Sequence, residues 1–108
     1  MTLRQKQSLF VRLVGRLIAF TYSHPGWELT FGDGHVSCGH GHMKGSLHFQ
    51  RLAQDFNLFV DGKWMRTGCP EWDALGAFWT SLDSLARWGG HFRSLDYNHF
   101  SVAHEGKA

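Results

Sequence analysis

The sequence predicts an α+β domain, and three patterns carry that expectation. Leu3, Phe10, Leu13, Val14, Leu17 and Ile18 recur at the spacing of one helix face within residues 1–22, with Arg4, Lys6, Arg12 and Arg16 mostly off that stripe. Trp27-Glu28-Leu29-Thr30-Phe31 alternates apolar and polar side chains as a half-buried strand does, and Asp61-Gly62 separates Leu58-Phe59-Val60 from Lys63-Trp64-Met65 as a hairpin turn does. Helical spacing returns over residues 71–87 through Trp72, Leu75, Phe78, Trp79, Leu82, Leu85 and Ala86. The architecture expected is a small, mostly antiparallel sheet, preceded by one helix and with a second helix inserted between its strands.

The punctuation agrees. Ser23-His24-Pro25-Gly26 ends the first helix, because proline cannot continue it, and Gly68-Cys69-Pro70 makes the turn before the second. At 108 residues the chain is long enough for one hydrophobic core and too short for two, so a single domain over residues 1–108 is expected. A formal charge of +2 with eight histidines suits an anionic polymer without selecting one. The basic residues form no clustered patch, which argues against a nucleic-acid partner. Arg12 and Arg16 interrupt the first apolar run and no small-residue cleavage pattern follows, so a signal peptide is not expected. The run also falls short of the ~20 apolar residues of a membrane span. Cys38 and Cys69 are too few for a disulfide scaffold, which favours a reducing compartment.

Candidate chemistry gathers in two stretches. In the first, His48 stands seven positions before Asp55, which heads the apolar run Asp55-Phe56-Asn57-Leu58-Phe59-Val60. A carboxylate in such a run is costly to bury unless it is paired, and a metal ion shared with a histidine is one such pairing. A salt-bridged aspartate at a strand edge with a separate loop histidine is the other. The second stretch, Asp96-Tyr97-Asn98-His99-Phe100-Ser101, offers His99 as a third ligand and Asp96 as a carboxylate close by. Three protein ligands with a fourth position open describe a catalytic zinc site, and a neighbouring carboxylate supplies its base. A rival cluster lies in the glycine-rich residues 32–45, where Cys38, His40 and His42 alternate so that they can share one side of an extended chain; a substrate-side loop is the simpler reading. Trp88, beside Gly89 and Gly90, is a candidate cleft wall, whereas His91 reads as an exposed loop histidine.

These residues, in this order, resemble the M15 zinc peptidases, and among them the small phage endolysins that cut peptidoglycan peptides. The family pattern Ser-x-His-x-x-Gly-x-Ala-x-Asp is matched by Ser46, His48, Ala53 and Asp55, with Arg51 in the glycine's place. The His-x-x-Arg-Leu-Ala-x-Asp form with a following Asn-Leu-Phe, the run from Leu85 to Gly90, and Asn98-His99-Phe100-Ser101 look like the phage members. The likeness spans roughly residues 26–101. It implies zinc held on one face of the sheet by His48, Asp55 and His99, with Asp96 as catalytic base and Ser46 orienting substrate or a ligand. It also implies a group that holds a substrate carboxylate. No arginine lies between Arg16 and Arg51, which leaves His35 or Lys44 for that role. The implied activity is hydrolysis of an amide in the peptidoglycan stem, foremost L-Ala–D-Glu, with D-Ala–D-Ala carboxypeptidase action or a non-catalytic, zinc-stabilised wall-binding module as alternatives. A monomer that inserts into no membrane is expected, accumulating in the host bacterial cytoplasm and reaching the wall after release by a holin.

Overall fold

The computed structural model of the chain describes residues 1–34, 47, 48 and 50–108. Helix α1 (Leu3–Tyr22) begins at a capping box: the Thr2 hydroxyl accepts the Gln5 N–H at 3.1 Å and the Gln5 side chain accepts the Thr2 N–H at 2.8 Å. The buried stripe is narrower than the sequence spacing suggests. Phe10, Leu13, Leu17 and Thr21 are buried, Val14 and Ile18 are half-buried, and Leu3 is exposed. Thr21 is accommodated because its hydroxyl donates to the Leu17 carbonyl, one turn back, at 2.8 Å.

Strand β1 (Trp27–Phe31) pairs antiparallel with β2 (Ala53–Val60), and β2 turns through Asp61-Gly62 into the short β3 (Lys63–Trp64). Both turn residues have positive φ, 51° and 79°, the left-handed pair that a two-residue hairpin requires. Helix α2 (Pro70–Leu82) opens with proline in its first turn and with Glu71 and Asp73 near its positive end. Strands β4 (Ala86–Trp88) and β5 (His99–Val102) complete an antiparallel five-stranded sheet of order β1-β2-β5-β4, with β3 also paired to β2. The fold is therefore α+β, with a leading helix and an inserted one, as the sequence predicts.

One boundary differs. The expected second helix over 71–87 stops at Leu82, and Ala86–Trp88 is a strand. Asp83 is extended, and its carboxylate accepts the Leu85 N–H at 2.9 Å, a local turn that competes with another helical turn. Beyond that turn, Ala86 and Trp88 face Val102 and Phe100 across β5, so period-two burial outweighs the helical spacing of Leu82, Leu85 and Ala86. The segment after Val102, which reads as a fraying strand end, forms a bridge between His104 and Lys107, and His104 Nδ1 meets Lys6 Nζ at 3.0 Å.

The two faces of the sheet differ in kind. Phe56, Leu58, Phe100, Val102, Ala86 and Trp88 join the core with Phe10, Leu13, Leu17, Trp72 and Trp79 of the helices. Edge-on ring contacts run from Phe10 to Trp79 (5.8 Å) and from Trp79 to Phe100 (5.6 Å), tying α1, α2 and β5 together. Three buried indoles also fasten backbone. Trp72 Nε1 donates to the Met65 carbonyl, Trp79 Nε1 to those of Arg87 and Ser101, and Trp88 Nε1 to that of Tyr97.

Gly76 is where α2 lies closest to this packing, because a Cβ at that position would collide with the Trp88 indole. Alanine is the better helix former by about 1 kcal/mol, but overpacking a core costs about 1–3 kcal/mol. Gly76→Ala is therefore expected to lower the denaturant midpoint; an unchanged or raised midpoint would show that the Trp88 ring moves aside freely.

Candidate metal centre

The other sheet face carries a group able to hold a metal ion. Asp55 and His99 are directly opposed in the β2–β5 register, so their side chains emerge on the same side, away from Phe56 and Phe100. His48 arrives from outside the sheet on a tight turn. The Leu52 N–H reaches the Leu47 carbonyl at 3.0 Å and the Arg51 N–H reaches the His48 carbonyl at 3.2 Å. That pair of bonds, with Arg51 at φ 56°, is a Schellman arrangement with an arginine in its left-handed position. Arg51 thus stands both at the glycine position of the M15 pattern and at a backbone conformation that glycine adopts without strain. Leu47 and Leu52, at the two ends of the turn, are buried in the core and hold His48 in place.

His48, Asp55 and His99 converge, with one ligand atom from each lying within 4.8 Å of the others; this is a group able to hold a metal ion. His48 Nε2 and His99 Nδ1 approach the same Asp55 oxygen at 3.4 and 3.5 Å. Those distances are long for charge-assisted hydrogen bonds, which cluster at about 2.7–2.9 Å. Both lie close to the edge of a tetrahedron, about 3.3–3.4 Å, drawn around an ion with bonds of about 2.0–2.1 Å. His48 Nδ1 lies 2.7 Å from the Gly34 carbonyl, which fixes the ring's orientation and leaves Nε2 to face the cluster. Asp55 Oδ1 and His99 Nε2 are buried without a hydrogen-bond partner among the described residues. The donor set fits a nitrogen- and carboxylate-binding divalent ion; nothing in it identifies the metal.

Charge follows the geometry. Burial opposes a charge on His48, but contact with Asp55, the Gly34 carbonyl and the charge of Asp33 outweigh it and raise its pKa above 6.5. Burial likewise opposes ionisation of Asp55, yet His48 and His99 hold its pKa down at about 2.

Asp96 stands outside this trio. It is exposed, and its carbonyl accepts the His99 N–H at 3.1 Å while its own N–H donates to the Gly89 carbonyl at 2.9 Å. A Cβ on Gly89 would strike the Asp96 carbonyl, so the glycine permits the turn that brings Asp96 back toward the sheet. Asp96 lines a cleft of about 250 Å³ shared with Phe56 and Asn98, the chain neighbours of Asp55 and His99. Trp88, a candidate for that wall, is 4% exposed instead, its indole packed against Gly76 and Gly90 and its N–H engaged by Tyr97. It braces the site from within the core. His91 is exposed, as its loop position suggests. Ser46 and His35, together with Cys38, His40, His42 and Lys44, lie outside the described residues. Neither the Gly34 carbonyl nor Asp33 was foreseeable from residue type, although both belong to the segment continuing β1: Asp55 N–H donates to the Asp33 carbonyl at 2.6 Å.

No protein-family model matches the chain, and no curated protein matches it either. The site's geometry and the motif pattern therefore carry the functional reading. Two outcomes are expected from them. Arg51→Gly removes a left-handed arginine and is expected to raise stability by up to about 1 kcal/mol with metal affinity unchanged, checked by denaturation and chelator competition. Metal binding requires neutral His48. Because its pKa is raised in the metal-free protein, affinity is expected to decline with acidification from above pH 6.5, the ordinary histidine value, downward. Chelator competition from pH 8 to pH 5 reads this directly, and a flat profile would remove His48 from the ligand set.

Proposed function

We propose that the protein is a zinc-dependent peptidoglycan peptidase of the phage endolysin type, hydrolysing an amide of the stem peptide, foremost L-Ala–D-Glu. The observation carrying this reading is the buried His48–Asp55–His99 group, with both imidazoles 3.4–3.5 Å from one Asp55 oxygen, beside a cleft that bears an exposed carboxylate. The order and spacing of the M15-like motifs agree with it. D-Ala–D-Ala carboxypeptidase action uses the same residues and is the alternative bond to be tested.

His48, Asp55 and His99 would hold the ion. When bound there, zinc supplies Lewis acidity, polarising a carbonyl oxygen and acidifying water. Asp96 accepts a proton at its carboxylate as water adds to the scissile carbonyl carbon, and returns it to the departing amine nitrogen as the C–N bond breaks. Its exposed position on the cleft suits this task, because a substrate amide can reach it there. The turn closed by Gly89 and His99 fixes where that carboxylate starts. The partner is bacterial peptidoglycan. The proposal includes accumulation in the host cytoplasm and holin-mediated access to the wall; no helix among the described residues is long and apolar enough to cross a membrane.

Mass spectrometry of purified peptidoglycan, with zinc and with chelator, tests the reading. New fragments ending at L-Ala, lost with chelator, are expected; release of terminal D-Ala alone would move the assignment to the carboxypeptidase. Asp96→Asn is expected to slow cleavage by at least ~100-fold with zinc affinity unchanged. Cleavage by that variant at the parent rate would overturn the role of Asp96, and absence of any zinc-dependent product from the parent would favour a wall-binding module.

A further inference from the structure

One edge of β2 is shared between two partners. Near Val60 it pairs with β3, the last bond running from the Met65 N–H to the Leu58 carbonyl at 2.8 Å. Near Ala53 it pairs with β5, the last bond running from the Phe56 N–H to the Asn98 carbonyl at 2.9 Å. Between these two bonds, at Asn57, the edge passes from one partner to the other, and the cleft of about 250 Å³ opens there. Its lining includes two charged groups, Arg66 and Asp96.

Arg66 is set up as a recognition group. Its guanidinium carbon lies 4.7 Å from the centroid of the Trp64 ring, which stacks in turn on Phe59 at 6.3 Å. A planar cation on an indole face keeps its fork of N–H donors directed along the ring plane and loses little freedom when it meets an acceptor. Arg66 makes no ion pair among the described residues. Continuing the hairpin register past the Phe59–Trp64 and Leu58–Met65 contacts brings Arg66 opposite Asn57. Asn57 is two residues along the strand from Asp55, about 7 Å. Asn57, Asn98 and Tyr97 add neutral polar groups around the same opening.

We infer that Arg66, braced by Trp64, is the specificity residue that receives a carboxylate of the ligand in the cleft whose lining it shares with Asp96. Resting on the peptidase reading above, the inference names the carboxylate as the α-carboxylate of D-Glu, which adjoins the scissile nitrogen. A guanidinium engages it through two parallel N–H···O bonds, whereas an α-carboxamide offers one acceptor and no charge. The cleft therefore distinguishes walls whose glutamate is free from walls whose glutamate is amidated.

The test uses a stem tripeptide, L-Ala–D-Glu–L-Lys, prepared with the glutamate α-carboxyl free or as its carboxamide. Calorimetric binding to the full chain in chelator, where no turnover occurs, is expected to favour the free acid by about 10-fold or more, the range of a hydrogen-bonded charge. Arg66→Ala is expected to bind the two forms equally, and Arg66→Lys to retain part of the preference, because an ammonium keeps the charge but loses the fork. Chelator competition on each variant, showing unchanged zinc affinity, verifies that the fold is intact. Equal binding of the two forms by the parent, no binding of either, or a preference surviving in Arg66→Ala would overturn the inference. Parallel assays with zinc separate the two claims. Preferential binding without cleavage leaves Arg66 standing and removes the peptidase, whereas cleavage without preference does the reverse.

Discussion

A carboxylate buried in the middle of a sheet is the constraint around which this molecule is arranged. Asp55 is 9% exposed, on a strand whose next residue, Phe56, belongs to the aromatic core. Taking its charge out of water is unfavourable unless cations or a metal ion stand close, and His48 and His99 are placed to provide the first and to share the second. The β2–β5 register is held by this need. A slip of one residue would turn Asp55 into the hydrophobic layer and leave both imidazoles facing nothing.

The opposite face of the sheet makes the placement rigid. Trp72, Trp79 and Trp88 fill the core, and each spends its single N–H on the backbone of a segment leading into the site: Met65 before the second helix, Ser101 beside His99, Tyr97 beside Asp96. Rings of this size have few rotamers, so the positions of those carbonyls are inherited from core packing. The candidate metal-binding group is thus held from behind by core packing.

What the chain disclosed before folding divides along physical lines. The first helix and the Asp61-Gly62 hairpin were legible because their signals are local: an apolar stripe, a proline stop, and two residues suited to positive φ. The grouping of His48, Asp55 and His99 was legible from residue type and motif spacing. The end of the second helix was not, because Leu82, Leu85 and Ala86 satisfy a helical period and only pairing with β5 decides against it. Trp88 looked like a cleft residue on account of its glycines, yet Gly76, twelve positions earlier, supplies the space its ring occupies. The Gly34 carbonyl carries no side-chain signature at all. Arg66 acquires meaning only after the hairpin register places it beside Asn57, a relation that no linear pattern displays.

The order β1-β2-β5-β4 places the last strand in sequence between two earlier ones. Without β5, β2 and β4 would present open edges to each other, and His48 and Asp55 would lack His99. Assembly of the site is thus non-local, requiring closure of a loop of some fifty residues between His48 and His99. A chain without β5 in place exposes strand edges that the closed sheet hides. Closure of the sheet and the grouping of His48, Asp55 and His99 depend on the same strand, so a disturbance of β5 pairing disturbs both.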